Sequence, residues 1–68
     1  MNPTVKITTT YTIQARDNGQ WHDAPGEAQG WTLAEARRAV RAGVDGMDGG
    51  FYGRADLRIV DADGHVVE

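Results

Sequence analysis

Along residues 5–16, VKITTTYTIQAR, two sets of positions alternate without a break. Val5, Ile7, Thr9, Tyr11, Ile13 and Ala15 share one face; Lys6, Thr8, Thr10, Thr12, Gln14 and Arg16 share the other. A period of two over β-favouring residues predicts a strand, because successive strand side chains point to opposite faces. One face is oily and the other polar, so the sheet should be covered on one side only.

Asn18-Gly19 follows, a strong hairpin signal between strand-like runs. The turn can close in two ways. A two-residue turn sets Trp21 opposite Arg16, on the polar face. A three-residue turn with a bulge at Gly19 sets Trp21 opposite Ala15, on the oily face. The second is the expectation, since an indole adds more to a thin core when buried. His22 and Asp23 then face solvent or the strand end.

After the loop APGEAQG, punctuated by Pro25-Gly26, the period lengthens. WTLAEARRAVRAGV predicts a helix. Thr32 and Glu35 have the T-x-x-E spacing of a capping box. Leu33, Ala36, Val40 and Val44 fall on one stripe and should pack on the oily face of the strands. Arg37, Arg38 and Arg41 fall on the flank and outer side, centred about 100° from that stripe at 3.6 residues per turn. Gly43 or Gly46 ends the helix in a left-handed conformation. Beyond it, DLRIVDADGHVVE predicts a second hairpin: Leu57–Asp61, a turn at Asp63-Gly64, then His65–Glu68. The order strand, strand, helix, strand, strand implies a single α+β domain over residues 1–68. One helix should lie on one face of an antiparallel or mixed sheet.

Length and composition narrow the function classes. A chain of 68 residues buries only about 60% of its unfolded surface, so its core is thin. With no cysteine, disulfides and thiolate metal sites are excluded, and a cytoplasmic setting fits best. No apolar run approaches the roughly 20 residues of a membrane span, and MNPTVKITTT does not read as a signal or transit peptide. Ten acids against seven bases give a net charge of −3, which disfavours direct nucleic-acid binding. Arg37, Arg38, Arg41, Arg54 and Arg58 form a basic patch, with Tyr52 as a stacking platform, only if the acids segregate elsewhere. Arginine suits bidentate contact with carboxylate or phosphate better than lysine does.

The glycine-rich stretch VDGMDGGFYGRAD is the one irregular segment of note. It does not fit a calcium loop: counted from Asp45, the third position is Met47, the fifth Gly49 and the twelfth Asp56, where glutamate is required. It does not fit a phosphate loop either, since it follows a helix C-terminus, whose partial charge is negative. Phe51 and Tyr52 are adjacent, so in an extended segment one faces the core while the other faces out. Either Phe51 plugs the end of the core with Tyr52 capping it, or the pair makes contacts. The chain has no serine or cysteine nucleophile. His22 and His65 have no partner spacing, and Asp61 and Asp63 flank a turn, where aspartate bonds its own backbone. No metal, cofactor or catalytic constellation is therefore expected, and the chain reads as a binding module rather than an enzyme.

The stretches YTIQA in the first strand, TLAEARRAV in the helix and FYGRADLRI entering the third strand carry a resemblance. With the strand order, they resemble a small phage and prophage family of anti-CRISPR proteins acting on the type I-F surveillance complex. The chain departs from that family in a longer connection between Gly53 and Leu57, a longer glycine-rich loop, and arginines where the family tends to lysine. The resemblance implies inhibition by binding: docking on the backbone subunits of the guide-RNA complex in the host cytoplasm and blocking target DNA. It assigns the contact role to Arg37, Arg38 and Arg41 on the helix flank, with Tyr52 and Arg54 from the loop. The alternative is a phage accessory module that binds nucleic acid or another host protein, with no CRISPR role.

Overall fold

A computed structural model describes residues 9–46 and 49–68 of the chain. The elements are β1 (Thr12–Asp17), β2 (Gln20–Asp23), α1 (Leu33–Ala42), β3 (Val44–Asp45), β4 (Phe51–Tyr52), a 3-10 turn (Arg54–Asp56) and β5 (Leu57–Val60). An antiparallel sheet runs in the order β2-β1-β5, and α1 packs on one of its faces. The fold is α+β, with one helix on one face of an antiparallel sheet in a ββαββ-like order, as the periodicities predict. The predicted last strand, His65–Glu68, is present only as the Val60–Val66 bridge.

The alternation in β1 sorts its residues as expected. Ile13 and Ala15 are buried against Leu57, Ile59 and the helix residue Ala36, while Gln14 and Arg16 stay on the other face. Tyr11 extends the edge beyond β1 through a two-way backbone pairing with Trp31 (2.8 and 3.2 Å). Of the predicted strand over residues 5–16, positions 5–8 lie outside the described residues, and Thr9 and Thr10 are exposed and precede the first strand pairing. The 24–31 loop is strapped to the same edge: the Ile13 N–H donates to the Ala28 carbonyl (2.8 Å), and the Ala24 N–H donates to the Ile13 carbonyl (3.0 Å). This strapping buries Ala24 and Ala28 and brings Trp31 over the helix start. The core is thin, as the length requires; among the described residues its largest fully buried side chains are Ile13 and Ile59.

The first hairpin closes differently from expectation. Arg16 pairs with Trp21 and Asp17 with Gln20, leaving the two-residue turn Asn18-Gly19. Both turn residues have positive φ, 51° and 77°, the type I′ geometry whose twist matches the strands and which Asn-Gly adopts at low cost. Trp21 therefore lies on the polar face rather than in the core. Its indole is half-buried there because two guanidinium groups cover it: Arg58 at 4.4 Å and Arg16 at 5.4 Å from the ring centroid. Cation–π attraction and the aliphatic stems of arginine give the indole apolar cover without a place in the core.

In α1, the Thr32 hydroxyl accepts from the Glu35 N–H (3.2 Å) and the Glu35 carboxylate accepts from the Thr32 N–H (3.1 Å), so the predicted capping box is present. Ala36 is fully buried, and Leu33 and Val40 pack against the core cluster. Val44, predicted on the same helical stripe, also packs there but from β3, because the helix stops at Ala42. The helix ends at Gly43, with φ 87° and ψ 166°, a region that only glycine enters readily. A Cβ there would collide with the Phe51 ring, so the ring also depends on Gly43 for its seat.

Part of the glycine-rich stretch is ordered into a ladder that periodicity does not reveal. Val44 pairs with Tyr52 and Asp45 with Phe51, and the Gly46 N–H donates to the Gly50 carbonyl (2.7 Å). The second hairpin turns between Asp61 and His65, as predicted, with Asp63-Gly64 inside a three-residue loop. The Asp61 N–H donates to the His65 carbonyl, and Gly64 takes φ 84°. The loop is thus Ala62-Asp63-Gly64, a type I turn followed by a left-handed residue. Residues 65–68 return beside β5 through the Val60–Val66 bridge and bonds between Ile59 and Glu68.

Candidate partner-binding cleft

Arg37 and Arg41 are four apart on α1, so they share one flank of the helix. That flank faces Arg54 on the 3-10 turn and Glu68 on the returning segment. Together they rim a cleft of about 190 Å³ with Val40, Leu57 and Ile59 as its floor. The Arg37 guanidinium donates to the Glu68 carboxylate, an exposed ion pair. Among the described residues Arg41 and Arg54 form no ion pair. The cleft is therefore cationic in a protein whose net charge is −3.

Arg38 is one residue on from Arg37, about 100° further round the helix, and lies elsewhere. It borders a shallow hollow with Trp31, Glu35, Ala39 and Ala42. Tyr52 lies elsewhere too: paired with Val44, it is half-buried and packs against the core. Phe51 is the outward ring of the pair, 63% exposed over Gly43. Of the five residues assigned to partner contact from the sequence, the structure brings Arg37, Arg41 and Arg54 to one cleft and separates Arg38 and Tyr52 from it.

Glu68 is a cleft residue that sequence reasoning missed. Its place follows from the backbone bonds that set Glu68 beside Ile59, and hence across from α1. The signal for it is the predicted return of His65–Glu68 beside Leu57–Asp61, which brings the last residues alongside Ile59. A larger hollow, about 370 Å³, lies on the opposite flank of α1 between Pro25, Trp31, Ala39 and Val44, with Glu27 and Asp45 at its rim. Its lining is largely the edge of the core, and it gathers no cations.

Two further polar groupings have local roles. On the open sheet face Arg58 donates to the Gln14 side-chain oxygen (2.8 Å), and Arg16 to the Asp56 carboxylate (3.2 Å). Both arginines are thereby engaged within the fold as well as over Trp21. Asp61, Asp63 and His65 bring ligand-type atoms within 4.8 Å of one another. Asp61 is committed to the turn: its Oδ1 accepts from the backbone N–H groups of Asp63 and His65, both at 2.9 Å. The His65 backbone bond is the main cause holding the Asp61 carboxyl below its ordinary range. The Thr32 backbone N–H, then the Thr32 hydroxyl, do the same for Glu35, with Arg38 adding a smaller attraction.

Fold and site together describe a one-helix α+β module with a cationic cleft between helix and sheet edge. No protein-family model, curated protein or solved structure matches the chain. Among the described residues no helix is long and apolar enough to cross a membrane.

Proposed function

We propose that this protein is a phage-derived inhibitor that acts by binding. In this reading the Arg37–Arg41–Arg54 cleft docks on a subunit of a CRISPR–Cas surveillance complex in the host cytoplasm, and the bound protein blocks target DNA. The observation that carries the reading is the convergence of three arginines from two elements on one cleft. Arginine is among the usual anchors of protein interfaces, and a cleft gives such anchors a desolvated seat. Guide complexes hold their heteroduplex in a channel by its backbone. Occupying the access to that channel is enough to stop recognition, so no catalytic group is needed.

The test is a plaque assay. The protein is expressed in hosts with defined CRISPR subtypes, and each host is challenged with a targeted phage. The expected result is lost immunity in one subtype, restored by charge reversal at Arg37, Arg41 and Arg54. Immunity intact in every subtype ends the proposal.

A second reading, an accessory module that binds nucleic acid, draws on Trp21 flanked by Arg16 and Arg58 on the open sheet face. Aromatic and cationic groups in that arrangement suit single strands. It requires DNA or RNA affinity by the isolated protein that weakens steeply with salt.

A further inference from the structure

We infer that the arginine cleft takes a carboxylate side chain from an acidic, partly apolar segment of a protein partner, and that Glu68 holds that place in the free protein. This deepens the docking role proposed above and rests on it. The Glu68 backbone is fixed by the Ile59 N–H, which donates to its main-chain oxygen at 2.8 Å. From that anchor its carboxylate reaches the Arg37 guanidinium at the cleft rim. The cleft thus already holds the chemistry it is suited to, an acidic side chain whose backbone lies in an extended segment.

Two further features define the external ligand. Three guanidinium groups face one carboxylate side chain, and Arg41 and Arg54 form no ion pair among the described residues. Charge complementarity therefore calls for more negative charge than Glu68 supplies. The floor of Val40, Leu57 and Ile59 is apolar. A phosphate is best held where donors surround all its oxygens, and this floor provides none. An acidic side chain next to an aliphatic one matches both rim and floor. The volume of about 190 Å³ equals roughly six waters of liquid, room for one such pair once Glu68 swings aside. Both partners of the Arg37–Glu68 pair are close to half exposed, at 51% and 43%, so the pair exchanges readily.

The test is a two-dimensional NMR titration of the whole protein with a blocked peptide of alternating leucine and glutamate. The methyl resonances of Val40, Leu57 and Ile59 report the cleft. The expected result is saturable shifts at those methyls, lost with a leucine–glutamine peptide and lost in the Arg41→Gln, Arg54→Gln variant. An exposed ion pair favours its closed form by at most about fivefold. Removing the competitor with Glu68→Gln should therefore tighten peptide binding about two- to sixfold. The same spectra report whether each variant is folded. No saturable shift in folded Glu68→Gln at millimolar peptide overturns the inference, as does weaker binding by that variant. A single-stranded oligonucleotide that shifts the same methyls at lower concentration overturns it in favour of phosphate. The titration contains no CRISPR component. Peptide binding alongside intact immunity would remove only the CRISPR reading, whereas inhibition without peptide binding would remove only the carboxylate ligand.

Discussion

Trp21 shows how a single side chain can be stabilised outside the core. Its position is set by the Asn18-Gly19 turn, and the turn leaves the indole on the face that α1 does not cover. Arg58 lies nearer the ring than Arg16 and also bonds Gln14. The attraction at a half-exposed ring is on the order of 0.5–1 kcal/mol. A double-mutant cycle of Trp21→Ala and Arg58→Ala, read by urea unfolding, should give a coupling energy of that size. The matching cycle with Arg16→Ala should give less, because its guanidinium is 5.4 Å from the centroid. Equal couplings, or none, would mean that the indole is held by something other than the Arg58 guanidinium.

The elements differ in how they are held, and pH separates two of the local devices. Glu35 in the capping box and Asp61 in the second turn both have folded pKa values below their ordinary 4.5 and 3.8. A depressed carboxyl binds fewer protons in the folded state, so its contribution is present above its unfolded pKa. It is lost as pH falls through the folded value. Stability should therefore decline as pH drops below about 4.5 and decline further below about 3.8. Urea unfolding across pH 2–7 should show Glu35→Gln flattening the upper part of that decline and Asp61→Asn the lower. A wild-type curve that stays level into strong acid would contradict both assignments. These devices also show what the sequence makes legible. The capping box is local, written in Thr32 and Glu35, and the helix start follows from it. The turns are less local: Asn-Gly and Asp-Gly look alike in sequence, yet the first closes over two residues and the second over three. Asp61 makes the difference, since its carboxylate accepts two backbone N–H groups and fixes the wider turn. The β3–β4 ladder has no periodic signal because each strand is two residues long, and pairing arises only once the chain folds back. Arg37 and Arg41 were legible as neighbours from helix geometry, but their meeting with Arg54 and Glu68 depends on that wider turn and on sheet pairing.

At the scale of the whole molecule, a small core supports an exposed cationic cleft. A chain of 68 residues has a total stability on the order of 3–10 kcal/mol, little of which resides in surface charge. Arg37, Arg41 and Arg54 are exposed, and exchanging exposed charges usually changes stability by less than about 0.5 kcal/mol. Binding and folding can thus be read apart at these positions, which they could not be at Ile13 or Ile59. The central claim is that the protein acts by seating those arginines on a larger partner. The most direct measurement is the Kd of the purified protein for the surveillance complex of each CRISPR subtype. Wild type is compared with Arg41→Glu, Arg54→Glu, and with Arg58→Ala as a folded control. Loss of a desolvated charge contact costs about 2–5 kcal/mol, so the cleft variant should bind roughly thirtyfold more weakly or worse, with the control unchanged. Absence of a complex with any subtype, or equal affinity for wild type and the cleft variant, would contradict the claim.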